Sequence, residues 1–375
     1  MSRSRLRPPG ALALGAAVLA IGLAACGGGS SSSATTANAA ATGSGNGGSS
    51  DQRVKITYVL HLRVPFTQQM ADGAEQAAKD ANVDLQVVGP QNFDPPSAIQ
   101  AFENALSSGA QGIAVVPHPG DVWRKPLQEA KEKGVPTISA NVGSPGLTDL
   151  SPVFVGENSI NLGHALGDVI LKNLPANPTG SVVVGICSPD LLPLTLRLQG
   201  VKEELAQKAP GVKFEGPFET SGDPAKNFQV WQGLVQAHQD ALAFIGLCSL
   251  DPPSLAKIKA KTPGAKWLVT GTDFEPGTIQ GIKDGTVIGA VGQSPFMQGY
   301  VPVRMLADVL RKKYAMPTGW IDSGLETLDK SNIDKVAARE ASKDLTLQYY
   351  KPVVDKLFAD PAAAVTTGNP ILEKK

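Results

Sequence analysis

From Lys55 onward the chain alternates short β-branched apolar runs with stretches whose apolar positions recur every three to four residues. KITYVLHL (55–62) predicts a strand, and 68–81, with Met70, Ala74, Ala77 and Ala78 on one face, predicts a helix. VDLQVVG (83–89), GIAVVP (112–117) and VPTISAN (135–141) predict further strands, with helical periods at 95–108, 122–133 and 161–173. The pattern then restarts. SVVVGIC (181–187), VKFEGPFE (212–219), ALAFIGLC (241–248), KWLVTGTD (266–273) and VIGAVGQ (287–293) predict strands, separated by helical periods at 194–208, 224–238, 254–261 and 277–283. Such alternation builds parallel sheets covered by helices on both faces. Two successive runs predict two doubly wound parallel-sheet α/β domains. A further helix is expected at 302–313, and a tail after about 334 holds one more at 346–358.

Open parallel sheets bind ligands beyond the carboxyl ends of their strands. Those ends are 61–66, 117–121, 140–143, 187–190, 248–251, 272–275 and 293–296. They are polar with occasional aromatics. Facing each other, they would make a cleft suited to a small hydroxylated ligand, whose hydroxyls meet polar side chains and whose C–H surface meets a ring.

Composition narrows this picture. The 34 basic and 34 acidic side chains balance, so no basic field argues for nucleic acid. The first ten residues hold Arg3, Arg5 and Arg7 and no acid, and residues 11–25 are apolar, which suits an export signal and is short for a membrane span. Leu23-Ala24-Ala25-Cys26 resembles a bacterial lipobox, in which the cysteine is acylated and the signal (1–25) is cut before it. An ordinary secretory signal with a chance cysteine is the competing reading. Residues 27–50 carry neither charge nor aromatic ring and cannot bury enough surface to fold. As a Gly/Ser coil they would reach roughly 25–30 Å. Folding is expected from Asp51, over about 320 residues, more than one core usually serves.

Along 55–330 the chain resembles the type I periplasmic substrate-binding proteins of ABC importers, in their ribose-binding-like branch. The residues that carry the resemblance are Val64-Pro65-Phe66 with Asp72-Gly73-Ala74, Gly134-Val135-Pro136-Thr137-Ile138, Val155-Gly156-Glu157-Asn158 with Gly163, Arg197-Leu198-Gln199-Gly200-Val201, Gly271-Thr272-Asp273, Asp284-Gly285, and Ala290-Val291-Gly292-Gln293-Ser294-Pro295 with Gly299. The resemblance implies two Rossmann-like lobes joined by a three-segment hinge near residues 157, 293 and 321, with the ligand cleft between them. The expected lobes are 51–157 with 294–320 and 158–293 with 321–335, followed by an extension over 336–375.

Carried over by position, the family's ligand contacts fall on Phe66, Asn141, Arg197, Asp273 and Gln293. Phe66 would stack on a sugar's C–H face, Arg197 would offer a fork of donors, and Asp273 would accept from two hydroxyls. Asn141 and Gln293 would both donate and accept. Other readings stand beside these: Phe66 in the core, Arg197 on a solvated helix face, Asp273 capping the next helix, Gln293 serving the hinge alone. His61 and His118 fall near strand ends, so either could line the cleft, and His118 joins the candidate set. His164 and His238 lie on helices, and no histidine pair has metal-ligand spacing.

The chain departs from the family in ways that matter. Asn141-Val142 stands where the family has Asp-Arg, Cys248-Ser249-Leu250-Asp251 replaces its Asn-Asp, and SPDLLPLTL (188–196) is apolar. A deoxy sugar, a polyol or a less polar furanose fits this loss of charge better than ribose held in the family's manner. Cys187 and Cys248 end strands that are neighbours in the usual doubly wound order, close enough to bond. A one-residue offset would instead leave two separate thiols on opposite faces.

The expected protein is an exported solute receptor, lipid-anchored through Cys26 on the periplasmic or cell-surface side. It would be a monomer without cofactor or metal, carrying a monosaccharide or polyol to an ABC permease. A sensor presenting a small molecule to a membrane receptor is one alternative. An exported carbohydrate-active enzyme using Asp273 and Glu275 is another, although two carboxylates in one loop cannot readily flank a bond.

Overall fold

Two six-stranded sheets, each flanked by helices, make up the computed structural model, which describes residues 53–369 and 371. In chain order the first run is β1 (Val54–Val59), α1 (Pro65–Asp80), β2 (Val83–Val88), α2 (Pro95–Ser107), β3 (Gly112–Val115), α3 (Arg124–Glu132), β4 (Thr137–Ala140) and β5 (Val153–Gly156). The second run is α4 (Ser159–Leu171), β6 (Gly180–Ile186), α5 (Leu192–Lys208), β7 (Val212–Glu219), α6 (Pro224–Ala237), β8 (Ala243–Gly246), α7 (Asp251–Ala260), β9 (Leu268–Thr272), α8 (Pro276–Asp284) and β10 (Gly289–Gly292). Then come α9 (Pro295–Leu310), β11 (Gly319–Asp322), β12 (Glu326–Asp329), α10 (Ile333–Arg339) and α11 (Lys343–Ala359).

The first sheet runs β11-β5-β4-β3-β1-β2 and the second β12-β10-β9-β8-β6-β7. Every pairing is parallel except β12 against β10. Inner strands such as β3, β4, β5, β8 and β10 are buried at every residue, as strands covered on both faces must be, while the edge strand β7 is largely open.

Each lobe is organised around one close helix pair. A Cβ on Gly299 of α9 would lie 1.8 Å from the Met70 carbonyl oxygen of α1, and one on Gly73 would lie 2.1 Å from that of Phe296. In the second lobe, a Cβ on Gly163 of α4 would lie 2.1 Å from the Arg197 oxygen of α5, and one on Gly200 equally close to that of Ile160. Only glycine lets these backbones touch. In both lobes the helix that follows a crossing is thereby seated on the helix that follows the lobe's first strand.

Helix α9 starts at Pro295, not near 302 as the pattern suggested, because Pro295 supplies the first-turn proline and Pro302 lies inside. Pro302 has no N–H for the Gln298 carbonyl one turn earlier. The Tyr58 hydroxyl donates to that oxygen instead, at 2.9 Å. Strands β5, β11 and β12, four residues each, are not among the strands the pattern predicts. Because β11 stays in the first sheet to Asp322 and β12 joins the second at Glu326, the chain passes between sheets over residues 323–325, slightly beyond 321.

The C-terminal segment does not simply extend the second lobe. Arg339 of α10 pairs with Glu326 at 2.7 Å, on the second lobe. Helix α11 lies on the first: Tyr350 stacks on Phe296 at 5.0 Å, and Lys343 reaches Asp72 at 3.0 Å and Glu75 at 2.7 Å. Beyond it, Thr366 forms an antiparallel bridge with Trp320, and Ile371 is fully buried beside Phe154.

Strand β6 lies between β7 and β8, so the ends of β6 and β8 are adjacent. Cys187 and Cys248 are bonded there, with S–S 2.06 Å and Cα–Cα 6.1 Å. The bond closes a loop spanning 61 positions, which in the chain-entropy account stabilises by at most about 4 kcal/mol. Replacing both cysteines by serine is expected to lower the unfolding free energy by roughly 2–4 kcal/mol in a urea titration. Thiol titration of the unreduced, denatured wild type should find neither cysteine free.

Candidate functional site

The same backbone device appears once in each lobe. Strand β4 is followed directly by Asn141 with φ 60°, and β9 by Asp273 with φ 68°. Asn and Asp tolerate this left-handed region better than other residues with a Cβ. The Asn141 N–H donates to Val155 O and the Asp273 N–H to Val291 O, each at 2.9 Å, so both turns are tied to the next strand in the same way. The two side chains enter the cleft from opposite sides.

Residues of the three crossings join them. Gln293, just before α9, receives the Asn141 amide at 3.2 Å and donates to both oxygens of Asp273 at 3.2 Å. Gln298 accepts from Asn141 at 2.9 Å, and its own amide donates to Gln293 O at 2.8 Å and to Ser323 Oγ at 3.2 Å. Ser323 belongs to the third crossing and donates to Gln293 O at 2.9 Å. At the first crossing Glu157 accepts from Arg197 Nη2 at 2.7 Å, while Arg197 Nη1 donates to Leu247 O at 3.1 Å. Every one of these side chains is buried.

Phe66, Asn141, Arg197, Asp273 and Gln293 line one small cavity of about 70 Å³. Its other wall is apolar, made by Leu191, Pro193, Leu194 and Leu250 with both bonded cysteines. Arg197 Nε and His61 Nδ1, on residues that line the cavity, are buried with no partner in the protein. Such atoms are costly to leave unmet and mark where a polar ligand can bond. Arg197 is 3% exposed, which rules out a solvated helix face. Asp273 does not cap α8, whose N-cap residue is Glu275. Phe66 is at once a core residue and part of the cavity wall.

His118 is not on the cavity wall. Its ring lies 5.3 Å from Phe93 and 6.3 Å from His61, both of which are. Burial lowers the pKa of both histidines, His61 to about 3 with the His118 charge adding to the effect; the nearby Asp190 partly opposes the shift at His118. Both imidazoles are therefore neutral at neutral pH. Asp251, in the segment read as a pocket departure, lies in the core instead. Its carboxylate accepts from Thr220, Asn227, Trp231 and the Cys248 N–H at 2.7–2.9 Å.

Sequence reasoning missed Phe93, Glu157 as a side-chain partner, and Gln298. Phe93 stands alone in a loop and carries no periodic signal. Gln298 was concealed by the late placement of α9. Cys26 lies outside the described residues. Among the described residues no group of three or more His, Cys, Asp or Glu side chains is arranged to hold a metal ion.

Two lobes with their strand ends facing, three crossings and a polar-floored cavity between them define a hinged binding protein. Residues 60–314 match the periplasmic binding protein domain, and the chain belongs to that family. It is 26% identical over 303 residues to the xylose/arabinose-binding protein XylF of Sulfolobus acidocaldarius, covering 74% of this chain and 72% of that one. It is 23% identical over 252 residues to the ribose import binding protein RbsB of Salmonella typhimurium, covering 67% and 82%. Among solved structures it resembles an ABC transporter solute-binding protein from Burkholderia graminis in complex with D-arabinose, with a TM-score of 0.70, 26% identity and coverage of 76% and 97%.

Glu275 gives the cleft a titratable element. It is 4% exposed and accepts the Phe66 backbone N–H of the first lobe. Burial, reinforced by the Asp273 charge, raises its pKa from 4.5 to about 8. A raised pKa favours the folded form most below the ordinary value, and that contribution is lost as pH rises through the folded one. Wild type should therefore lose stability relative to Glu275→Gln between pH 5 and 8, by at most about 1.4 kcal/mol per pH unit. Urea unfolding of both proteins at the two pH values measures this difference.

Proposed function

We propose that this protein is an extracytoplasmic receptor of an ABC importer that captures a pentose between its lobes. The observation that carries the reading is the convergence of Asn141, Arg197, Asp273 and Gln293, drawn from both lobes and a crossing, on one cavity. A sugar engaged by both lobes favours the closed form, because only there are all its contacts made. Asp273 accepts from two hydroxyls, Asn141 and Gln293 donate and accept, and Arg197 donates. Phe66 and the leucine-rich wall cover the C–H surface.

The choice of a pentose is supported by the relatives, named for xylose, arabinose and ribose, and by the arabinose held in the similar solved structure. The reading makes the protein a binder without turnover, acting as a monomer. It places Cys26 as the acylated first residue of the mature chain, with residues 27–50 as a tether that keeps the receptor close to its permease.

Isothermal titration of the purified protein with xylose, arabinose and ribose tests the assignment. At least one should bind saturably and be recovered unchanged. Asp273→Asn should weaken that binding about 10- to 100-fold, since a charged acceptor contributes roughly 1.5–3 kcal/mol. Failure of every pentose, or preference for an amino acid, would overturn the sugar assignment.

A further inference from the structure

One residue on the cavity wall has no part in the polar floor. Phe93 lies in the loop between β2 and α2 of the first lobe and lines the cavity. Its ring packs against His61 at 5.4 Å and His118 at 5.3 Å, so residues following β1, β2 and β3 form one patch. Two points of the second lobe meet that patch. Asp190 stands 3.7 Å from His118 Nε2. Gly222, between β7 and α6, sits directly against Phe93: a Cβ there would lie 2.5 Å from Cε2 and 2.6 Å from Cδ2 of the ring. Gly222 also lines the cavity. Its φ is not in the left-handed region, so its backbone conformation does not require glycine. A side chain at 222 would have to displace the Phe93 ring.

We infer that Phe93 seated against Gly222 is the closing contact of the cleft, and that it sets the largest ligand the closed site admits. This rests on the sugar-receptor reading. With the ring against glycine, no atom separates the lobes at that edge of the cavity. A ligand extended past Phe93 would hold the ring off Gly222 and keep the lobes apart. A pentose leaves the contact intact, whereas an added hydroxymethyl group or second sugar ring directed toward Phe93 does not. The flanking histidines, buried and neutral, hold the ring in place without adding charge at the seam.

Sugar titrations with three variants test this. Gly222→Ala should weaken pentose binding about tenfold or more, because even a methyl group overpacks the seam. Combining it with Phe93→Ala should return affinity to within about threefold of Phe93→Ala alone, as expected when one contact accounts for both effects. Phe93→Ala should raise affinity for hexoses and disaccharides relative to pentoses by about tenfold, the scale of one or two carbons in a pocket. Equal losses from Gly222→Ala with and without the phenyl ring, or unchanged sugar ratios in Phe93→Ala, would overturn the inference. A measurement independent of any sugar decides the contact itself. In a Cys26→Ser background, Phe93→Cys with Gly222→Cys should be joined by a short thiol crosslinker, and failure to join would overturn the contact. If wild type binds no sugar while the crosslink forms, the sugar reading falls and the seam stands.

Discussion

The buried pair of Arg197 and Glu157 is the constraint around which the two lobes are arranged. The guanidinium comes from α5 of the second lobe, and the carboxylate sits at the first crossing, fully buried, 2.7 Å away. Removing both charges from water is expensive, and removing one partner alone leaves a buried charge unpaired, typically at 3–5 kcal/mol. The pair therefore fixes the position of the crossing relative to α5. It is reachable because α4 and α5 touch at Gly163 and Gly200, with the Gly163 position held against the Arg197 carbonyl itself. The same guanidinium forms part of the cavity wall. Hinge, helix packing and cavity wall thus share one side chain.

The cleft is symmetric in backbone and asymmetric in charge. Asn141 and Asp273 occupy matching left-handed turns with matching ties to the next strand. One presents a neutral amide and the other a carboxylate with its pKa raised by burial to about 6. Gln293 joins them by turning its oxygen toward the amide and its nitrogen toward the acid. The two amides thus present donors and acceptors side by side next to the Asp273 carboxylate.

Much of this was legible in the sequence because it depends on local pattern. Alternating apolar runs fixed the order of most strands and helices, and the strand ends they marked include Asn141, Asp273 and Gln293, which the family resemblance singled out. Doubly wound order brought Cys187 and Cys248 together. What stayed hidden depends on long-range contact. Nothing near Asp251 in sequence shows that Thr220, Asn227 and Trp231 converge on it. Nothing near Phe93 shows a glycine more than a hundred positions later that its ring will meet. Helix α9 was misplaced because Pro302 reads as a start, and the tyrosine hydroxyl that compensates its missing N–H comes from β1.

The buried C-terminal strap bears on how the molecule is made. Asn369 is completely buried, and its amide donates at 3.3 Å to the backbone oxygen of Glu157, 212 residues earlier. Polypeptides emerge from the ribosome amino end first, and domains tend to fold in that order. Both sheets can be largely assembled before residue 369 is synthesised, but the first crossing cannot be completed until it arrives. A chain stalled or clipped shortly before that point would hold two folded lobes on a hinge still lacking one of its ties. The first crossing is thus completed by a residue made after both of the lobes it joins.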